Sequence, residues 1–467
     1  MRVPLLPMGP LALLACALTS AVAAADDPLP EGRPPNIVLL LADDLGYGDL
    51  ACYGSPVHRT PHLDALAAGG MVFTNAYANA PNCAPTRAAL MSGLYAPRTG
   101  IYTVSGSARG KAKNRKLIPT PNRTDLDESF VTLAETLSGA GYATAHMGKW
   151  HLGADPCSQG FDVNVGGNKA GSPRSYHSPY SNPKLEDGPE GEYLTDRMGR
   201  EASGFIEEHA DEPFFLQLAF FSVHTPIQGR ADLVESYVET LSDSKDAKYA
   251  AMVTALDEAV GQVLATLAEQ DLLENTLVLF FSDNGGRSPF GDNGGLRGSK
   301  GMLYEGGIRE PLIAHWPGKI SAGSRCLDAV IGLDLYPTLM ELAGVPRGSD
   351  QMLDGVSIMP CLRGEALDER EGLFWHFPAY LQGYLPSHGP FRTTPVGAIR
   401  RGPWKLMEFF EDGRLELYNL VADSAESVNL AAEQPEVVAD LHGRMRAWRE
   451  RVKAPVPTEL NPEYEDE

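Results

Sequence analysis

Four largely apolar runs, each of strand length, stand out along the sequence. They cover residues 36–41, 142–147, 213–221 and 276–281. An unbroken apolar run predicts a strand that is buried on both faces, as in a parallel sheet covered by helices. Between the last two runs, residues 247–269 carry an apolar stripe at helical spacing, which predicts an amphipathic helix. This alternation indicates an α/β fold with a large central, mostly parallel sheet flanked by helices.

Polar residues follow each of these runs closely. They are Asp43, Asp44, Lys149, His151, His224, Asp283 and Asn284. Taken singly, they have ordinary interpretations, because Asp and Asn are frequent turn formers and a histidine before a proline is more often structural than catalytic. In an open parallel sheet, however, ligands bind beyond the carboxyl ends of the strands. We therefore expect these residues to lie near one another.

Cys83 stands at the predicted start of a helix. Pro85 suits the first helical position, where a missing N–H costs nothing, and helix formers follow it. The N-terminus of a helix favours an anion or an activated nucleophile. Arg87 lies one helical turn after Cys83, so both side chains can face the same side of the helix. Cys83 is therefore a candidate reaction centre. The alternative is a buried structural cysteine.

Asp43, Asp44, Asp283 and Asn284 offer oxygen ligands only, three carboxylates and one amide. Such a set favours Ca²⁺ or Mg²⁺ over Zn²⁺. Without a cation, three clustered carboxylates would repel one another. The sequence thus predicts a hard-cation site next to Cys83.

The chain has 39 basic and 61 acidic residues, a formal net charge of −22. This charge argues against a general nucleic-acid binder or a protein held to acidic membranes, so an anionic substrate needs a local cationic site. One loop is locally basic, and it is either a solvated loop or the border of a polyanion-binding cleft. Its basic residues are Arg109, Lys111, Lys113, Arg115, Lys116 and Arg123.

The N-terminus has the layout of a secretory signal peptide over residues 1–25, with Arg2, an apolar stretch over residues 11–18 and small residues before Asp26. We expect export to the periplasm or the medium, with no stable membrane insertion. Lipid attachment at Cys16 is the less favoured alternative, because a leucine at the second position of its attachment box is unusual.

Five cysteines remain after the expected signal peptide: Cys52, Cys83, Cys157, Cys326 and Cys361. If Cys83 has a special role, the other four can form up to two disulfides in an oxidising compartment, with the connectivity open.

A turn-rich segment over residues 343–350 predicts a boundary between a catalytic domain, residues 26–345, and a C-terminal subdomain, residues 346–467. The subdomain is expected to hold a small antiparallel sheet and a terminal helix that begins near Pro435. The aromatic and histidine side chains of segments 374–378 and 387–389 either contact a leaving group or are core aromatics and loop histidines.

Several of these segments together resemble the sulfatase family, the formylglycine-dependent, arylsulfatase-like branch of the alkaline-phosphatase superfamily. The match includes C-x-P-x-R at Cys83, whose signature departs mildly at Ser92, where threonine is usual. It also includes a second segment over residues 141–151, in which Met147 stands where a smaller residue is usual. The other segments are residues 41–49, 283–286, 296–301 and 304–311, with further likeness at 396–400 and 417–420. The resemblance covers nearly the whole chain after the expected signal peptide, and it implies an alkaline-phosphatase-like fold.

The resemblance also implies a chemistry. A maturation enzyme oxidises Cys83 to formylglycine, and one calcium ion binds to Asp43, Asp44, Asp283, Asn284 and the residue made from Cys83. The hydrated aldehyde attacks the sulfur of a sulfate ester, the alcohol leaves, and sulfate is then expelled. By similarity, Arg87 and Lys149 stabilise the hydrate, and His151 is the base for expulsion. His224 protonates the leaving oxygen, aided by Lys300, which also binds sulfate.

The expected substrate is a sulfated carbohydrate or another sulfated small molecule, since exported members of the family often act on sulfated sugars. Asn284 stands where phosphodiesterases and phosphonate hydrolases of the superfamily tend to have histidine, which favours the arylsulfatase-like branch. Two alternatives stay open: a phosphodiester or phosphonate hydrolase of the same superfamily, and a non-catalytic protein that binds sulfated glycans.

Overall fold

The structure, a computed structural model, describes residues 33–241, 243–348 and 351–465. The expected signal peptide, residues 1–25, and the alternative lipid site at Cys16 lie outside these ranges. From Pro34 onward the chain forms one compact unit.

The central sheet contains nine described strands. They are β1 (Asn36–Ala42), β2 (Met71–Tyr77), β3 (Ala143–Gly148), β4 (Val163–Val165), β5 (Phe214–Ala219), β6 (Thr276–Ser282), β7 (Arg309–His315), β8 (Ser324–Cys326) and β9 (Val330–Ile331). Their order is β4-β3-β5-β1-β6-β7-β2-β8, β9 also pairs with β2, and only β7 runs against the other described strands. The four apolar runs form β1, β3, β5 and β6, so the predicted mostly parallel sheet is confirmed.

The described α-helices are α1 (Pro61–Gly69), α2 (Cys83–Ser92), α3 (Ala96–Thr99), α4 (Leu133–Gly139), α5 (Leu194–Glu208), α6 (Ala231–Val238), α7 (Ser244–Glu269), α8 (Glu305–Ile308), α9 (Leu335–Leu342), α10 (Met359–Leu362) and α11 (Pro435–Val452). Helices α2, α4 and α9 pack in the core on one face of the central sheet, and α1, α5 and α7 pack in the core on the other face. In β1, Leu39 and Leu40 point into two different hydrophobic cores, which explains why the run is continuously apolar. Helix α7 is long and apolar enough to cross a membrane, but most of it is buried inside the protein.

A second sheet lies in the C-terminal part. It is antiparallel, with the order β10-β13-β14-β15, and a two-stranded hairpin of β11 and β12 stands beside it. The strands are β10 (Leu373–Phe377), β11 (Leu381–Gln382), β12 (Phe391–Thr393), β13 (Val396–Arg401), β14 (Trp404–Phe409) and β15 (Leu415–Asn419). Helix α11 begins at Pro435 and packs Leu441, Met445 and Trp448 onto this sheet. The expected antiparallel sheet and terminal helix are confirmed.

The aromatic segment 374–378 belongs to the core. Phe374 stacks on Trp448 at 4.8 Å between ring centroids, and Trp375 donates a hydrogen bond from Nε1 to the carbonyl of Ala78 (2.8 Å). His376 is buried, and its Nε2 bonds the carbonyl of Pro455. The structure therefore decides for the core interpretation and against contact of these side chains with a leaving group.

All five described cysteines are free in the structure, so no disulfide links any pair of them. Cys326 and Cys361 are nevertheless neighbours, since their sulfur atoms and a carboxylate oxygen of Asp328 all lie within 4.8 Å of one another. Cys52 is partly buried, and Cys157 is exposed.

Candidate active site

The carboxyl ends of four parallel strands meet at one edge of the sheet, as expected. Ala42 at the end of β1 lies beside Ser282 at the end of β6, which brings Asp43 next to Asp283. Gly148 at the end of β3 lies beside Ala219 at the end of β5. Lys149 therefore enters from the neighbouring position, and the loop after β5 brings His224 to the same edge.

Helix α2 brings Cys83 to this edge. The helix begins at Cys83 itself, with Asn82 as its N-cap. Pro85 is therefore the third helical residue, and our placement of it at the first position was wrong. A proline is tolerated at either position, because the N–H groups of the whole first turn lack helical partners. The sulfur of Cys83 and carboxylate oxygens of Asp43 and Asp283 lie within 4.8 Å of one another.

Arg87 lies one turn after Cys83 and is 2% exposed. Its Nε and one terminal nitrogen lie 2.8 and 2.7 Å from the same oxygen of Asp283. Its other terminal nitrogen donates to the carbonyl of Lys149 at 2.5 Å. Because three contacts hold the guanidinium, its orientation is set before any substrate arrives.

Two lysines neutralise the two aspartates that follow β1. Lys149 Nζ lies 2.6 Å from Asp43 Oδ2, and Lys300 Nζ lies 2.5 Å from Asp44 Oδ1. Asn284 Nδ2 donates to that same oxygen of Asp44 at 2.9 Å. The expected aspartates, lysines and asparagine thus form one contiguous cluster.

Burial and mutual repulsion act against ionisation in this cluster. Burial raises the pKa of Asp43 to about 6, although Lys149 opposes the shift. Burial and Asp43 also raise the pKa of Asp283. Burial raises the pKa of Asp44 as well, but Lys300, His224 and Lys149 outweigh it and hold this pKa below its ordinary value. Additional positive charge would therefore favour the ionised forms of Asp43 and Asp283.

Three oxygen atoms of the cluster are buried and have no hydrogen-bond partner: Asp43 Oδ1, Asp44 Oδ2 and Asn284 Oδ1. A buried polar atom without a partner costs about 1–3 kcal/mol. Oxygen donors of this kind are the ligands that Ca²⁺ prefers. The donor set therefore fits a hard divalent cation, which would satisfy all three atoms.

Two histidines border the cluster on opposite sides. His151 Nδ1 lies 3.5 Å from Cys83 Sγ. His224 Nδ1 bonds the carbonyl of Thr225 at 2.8 Å, and its Nε2 lies 3.6 Å from Asp44 Oδ2. Burial lowers the pKa of both histidines to about 3, with help from Lys149 at His151 and from Lys300 at His224. Both rings are therefore neutral near pH 7.

The sequence did not reveal two further residues near the site. Tyr176 donates to the carbonyls of Phe221 (2.5 Å) and His224 (2.8 Å), so it anchors the loop that carries His224. Glu310 on β7 is fully buried with both carboxylate oxygens unpartnered. Burial and the site aspartates raise its pKa well above the ordinary value. Tyr176 belongs to no recognisable local motif, and Glu310 lies in the family-like segment 304–311 but was not singled out there.

Comparison with known proteins gives a consistent result. A family model described as Sulfatase matches residues 35–345, and one described as N-sulphoglucosamine sulphohydrolase, C-terminal, matches residues 298–451. A protein named Sulfatase from Formosa agariphila is 36% identical, covering 91% of this chain and 90% of that protein. The N-acetylgalactosamine-6-sulfatase of Sus scrofa is 36% identical, covering 72% of this chain and 68% of that enzyme. The protein in the crystal structure of Ps i-CgsB in complex with k-i-k-neocarrahexaose has 30% sequence identity to this chain and a TM-score of 0.76. The match covers 89% of this chain and 93% of that chain.

Proposed function

Because this chain belongs to the sulfatase family and is a sulfuric ester hydrolase, we propose that it removes sulfate from carbohydrates by means of a formylglycine made from Cys83 and one bound calcium ion. The observation that carries this proposal is the buried carboxylate cluster, with unpartnered oxygens, beside Cys83. The names of similar proteins support a carbohydrate substrate, since one is an N-acetylgalactosamine-6-sulfatase and another is in complex with k-i-k-neocarrahexaose.

Asp43, Asp44, Asp283 and Asn284, together with the residue made from Cys83, would hold the calcium ion. When bound, the ion supplies positive charge that neutralises oxygen atoms of the sulfate group as negative charge develops on them. The aldehyde supplies a carbon that can carry the nucleophilic oxygen in place of a thiol, and oxygen is the donor that calcium prefers.

The lysines bind and orient the sulfate group. Each ammonium group carries three N–H donors, and the described ion pairs with Asp43 and Asp44 use one donor on each lysine. The remaining donors of Lys149 and Lys300 are available to sulfate oxygens. Arg87 keeps its position through Asp283 and the Lys149 carbonyl, so it holds the hydroxyl-bearing side chain at position 83 in place.

The histidines hold and move protons. In its neutral form His224 keeps a proton on Nδ1 for the Thr225 carbonyl, and its Nε2 faces Asp44. Nε2 therefore carries no proton in the neutral ring. A proton taken up at Nε2 gives a charged ring that Asp44, 3.6 Å away, stabilises, and that proton can then pass to the leaving oxygen. His151 is neutral beside position 83, so its ring can accept a proton from a hydroxyl group there.

Mass spectrometry of the peptide that carries Cys83, from protein produced with a maturation enzyme, tests the formylglycine. We expect a mass shift from thiol to aldehyde, one calcium ion per chain by elemental analysis, and sulfate release from a panel of sulfated saccharides. The Cys83→Ala variant should release no sulfate. A peptide that stays entirely a thiol, with undiminished activity in Cys83→Ala, would contradict the proposal.

Paired aryl sulfate and aryl phosphate substrates separate sulfate hydrolysis from the phosphodiester and phosphonate alternatives. We expect a higher kcat/KM for the sulfate and its loss after calcium removal. Faster cleavage of the phosphate would favour the alternatives. Binding of sulfated glycans without any turnover by formylglycine-bearing protein would favour the non-catalytic alternative.

We also propose that the protein is exported, on the strength of the apolar stretch over residues 11–18 and the small residues that follow it. Fractionation of the producing cells tests this, together with N-terminal sequencing of the mature chain. We expect an N-terminus near Ala24 or Asp26. An intact N-terminus in the cytoplasm would refute export, and a lipid on Cys16 would support the anchored alternative.

A further inference from the structure

Three arginines meet at the hairpin of β11 and β12, and two of them flank the ring of Tyr384. The guanidinium carbons of Arg392 and Arg287 lie 4.5 and 5.1 Å from the centroid of the Tyr384 ring. Arg109 donates from Nε to the side chain of Gln382 at 3.1 Å, and Arg392 donates to the backbone carbonyl of Gln382 at 2.9 Å. Three separate segments of the chain thus place positive charge at one hairpin.

This arginine cluster, Arg109, Arg287 and Arg392, adjoins the candidate active site. The Tyr384 hydroxyl donates to the backbone carbonyl of Lys300 at 3.5 Å, and the ammonium group of Lys300 contacts Asp44. A methyl group at Gly301 would lie 2.4 Å from Arg392 Nε. The hairpin therefore packs directly against the residue that follows Lys300.

The arginine cluster lacks a counter-charge of its own. Within the part of the chain that the structure describes, none of its three arginines forms an ion pair with a carboxylate, although acidic residues outnumber basic ones by 61 to 39. Arg392 Nε is buried and has no hydrogen-bond partner. Burial, together with repulsion by Arg109 and Arg287, lowers the pKa of Arg392 to about 10. An anion bound here would relieve this repulsion.

Other basic side chains of the loop around Arg109 are engaged elsewhere. Lys113 pairs with Glu465, and Arg123 pairs with Asp127. Arg115 donates to the carbonyls of Ala108 and Gly110 and so orders the turn that carries Arg109. Arg109 is thus held toward the hairpin, while these neighbours are occupied.

We propose that Arg109, Arg287 and Arg392 form a subsite for a second anionic group, a sulfate ester or a carboxylate, on the same glycan whose sulfate group is hydrolysed. Planar guanidinium groups match the oxygen geometry of both anions. The subsite would select polyanionic glycans over singly sulfated sugars. This inference rests on the proposed function, because it concerns the substrate of the same site.

Calorimetric titration of the full-length Cys83→Ala variant tests the subsite without turnover. The probes are N-acetylgalactosamine 6-sulfate, a chondroitin 6-sulfate tetrasaccharide, a sulfated neocarrahexaose and hexathymidylate. We expect at least one of the two oligosaccharides to bind about 10-fold more tightly than the monosaccharide, as one added charge-assisted contact allows, and more tightly than hexathymidylate. Arg392→Gln, Arg287→Gln and Arg109→Gln should each reduce that preference, whereas Arg392→Lys should retain part of it.

Arg446→Gln, an exposed site on α11, is the matched control for loss of one positive charge and should leave the preference intact. Melting temperatures identify any variant that is misfolded. The subsite is refuted if neither oligosaccharide is preferred, if the preference survives all three Gln variants, or if hexathymidylate binds as tightly. Failure of the proposed function is a different result, namely no sulfate release by formylglycine-bearing wild-type protein.

Discussion

Replacing Lys405 by methionine removes the positive charge that joins the C-terminal sheet to the central part of the protein. Lys405 on β14 is fully buried, and its Nζ lies 2.9 Å from Glu305 and 3.0 Å from Glu426. Glu305 also accepts a hydrogen bond from the Tyr77 hydroxyl at 2.6 Å, and it lies only five residues after Lys300. In Lys405→Met, two carboxylates stay buried without their shared cation.

Removing one partner of a buried charge pair costs about 3–5 kcal/mol, because the remaining charge is left uncompensated. Protonation of Glu426 reduces this cost, since burial already raises the pKa of Glu426 to about 7. At about 2.1 cal/mol/K per residue, a loss of 3–5 kcal/mol lowers the Tm of a unit of this size by roughly 3–6 °C. The loss should be larger at pH 8 than at pH 6, because Glu426 is more fully ionised at the higher pH.

Differential scanning calorimetry of three variants measures this effect. Lys405→Met should melt several degrees below wild type. Lys405→Met with Glu426→Gln should recover part of the loss, since one buried charge is then gone. Lys319→Met is the control, because Lys319 is exposed, and its Tm should not change. Equal Tm values for wild type and Lys405→Met, or no recovery in the double variant, would refute the argument from buried charge.

Three further predictions concern the site and its surroundings. Removing calcium with EGTA should lower the Tm. The free energy of unfolding should fall by about 2.7 kcal/mol if free calcium was 100-fold above its Kd. Added calcium should restore the Tm in wild type but much less in Asp44→Asn, and a Tm that does not respond in wild type contradicts the cation site. Wild type should lose about 1.4 kcal/mol of stability per pH unit above pH 4.5, because the raised pKa of Glu310 means that the folded protein keeps a proton that the unfolded chain has released. Glu310→Gln should abolish this loss. Urea unfolding at pH 5 and pH 7 checks this, and parallel pH slopes for the two proteins would count against a buried neutral carboxyl. Gly148→Ala should lower sulfate release at least about 10-fold and destabilise the protein, because Gly148 has a φ of 94° and an added methyl would meet the Ala219 carbonyl at 2.0 Å. Gly139→Ala, where the added methyl meets open space, is its control in the same kinetic and melting assays, and equal behaviour of the two variants would contradict the steric argument.

Four strands of the central sheet, β1, β3, β5 and β6, were predictable because their signal is local. A strand buried on both faces must be apolar at every position, and β1 shows this directly, with Leu39 and Leu40 in separate cores. The parallel arrangement then implies that residues after each strand share one edge. Asp43, Lys149 and Asp283 are therefore expected at one edge of the sheet from the sequence alone.

The start of α2 shows how far local signals reach. The sequence predicts a helix there, but it does not distinguish the first helical position from the third for Pro85, because both lack a helical hydrogen bond. The aromatic segment 374–378 was similarly ambiguous. Whether Phe374 meets a ligand or Trp448 depends on α11, which lies far away in the chain.

The sequence by itself determined four strands of the central sheet, the helix at Cys83 and the candidate site residues that follow those strands. Only the tertiary structure decided which charges meet. Arg87 pairs with Asp283 across 196 positions, and Lys300 pairs with Asp44 across 256. The arginine cluster at Tyr384 and the buried Lys405 also depend on such distant contacts. The physical reason is that burial leaves a periodic pattern in neighbouring residues, whereas a pairing between charges depends on their separation in space, which no short stretch of sequence records.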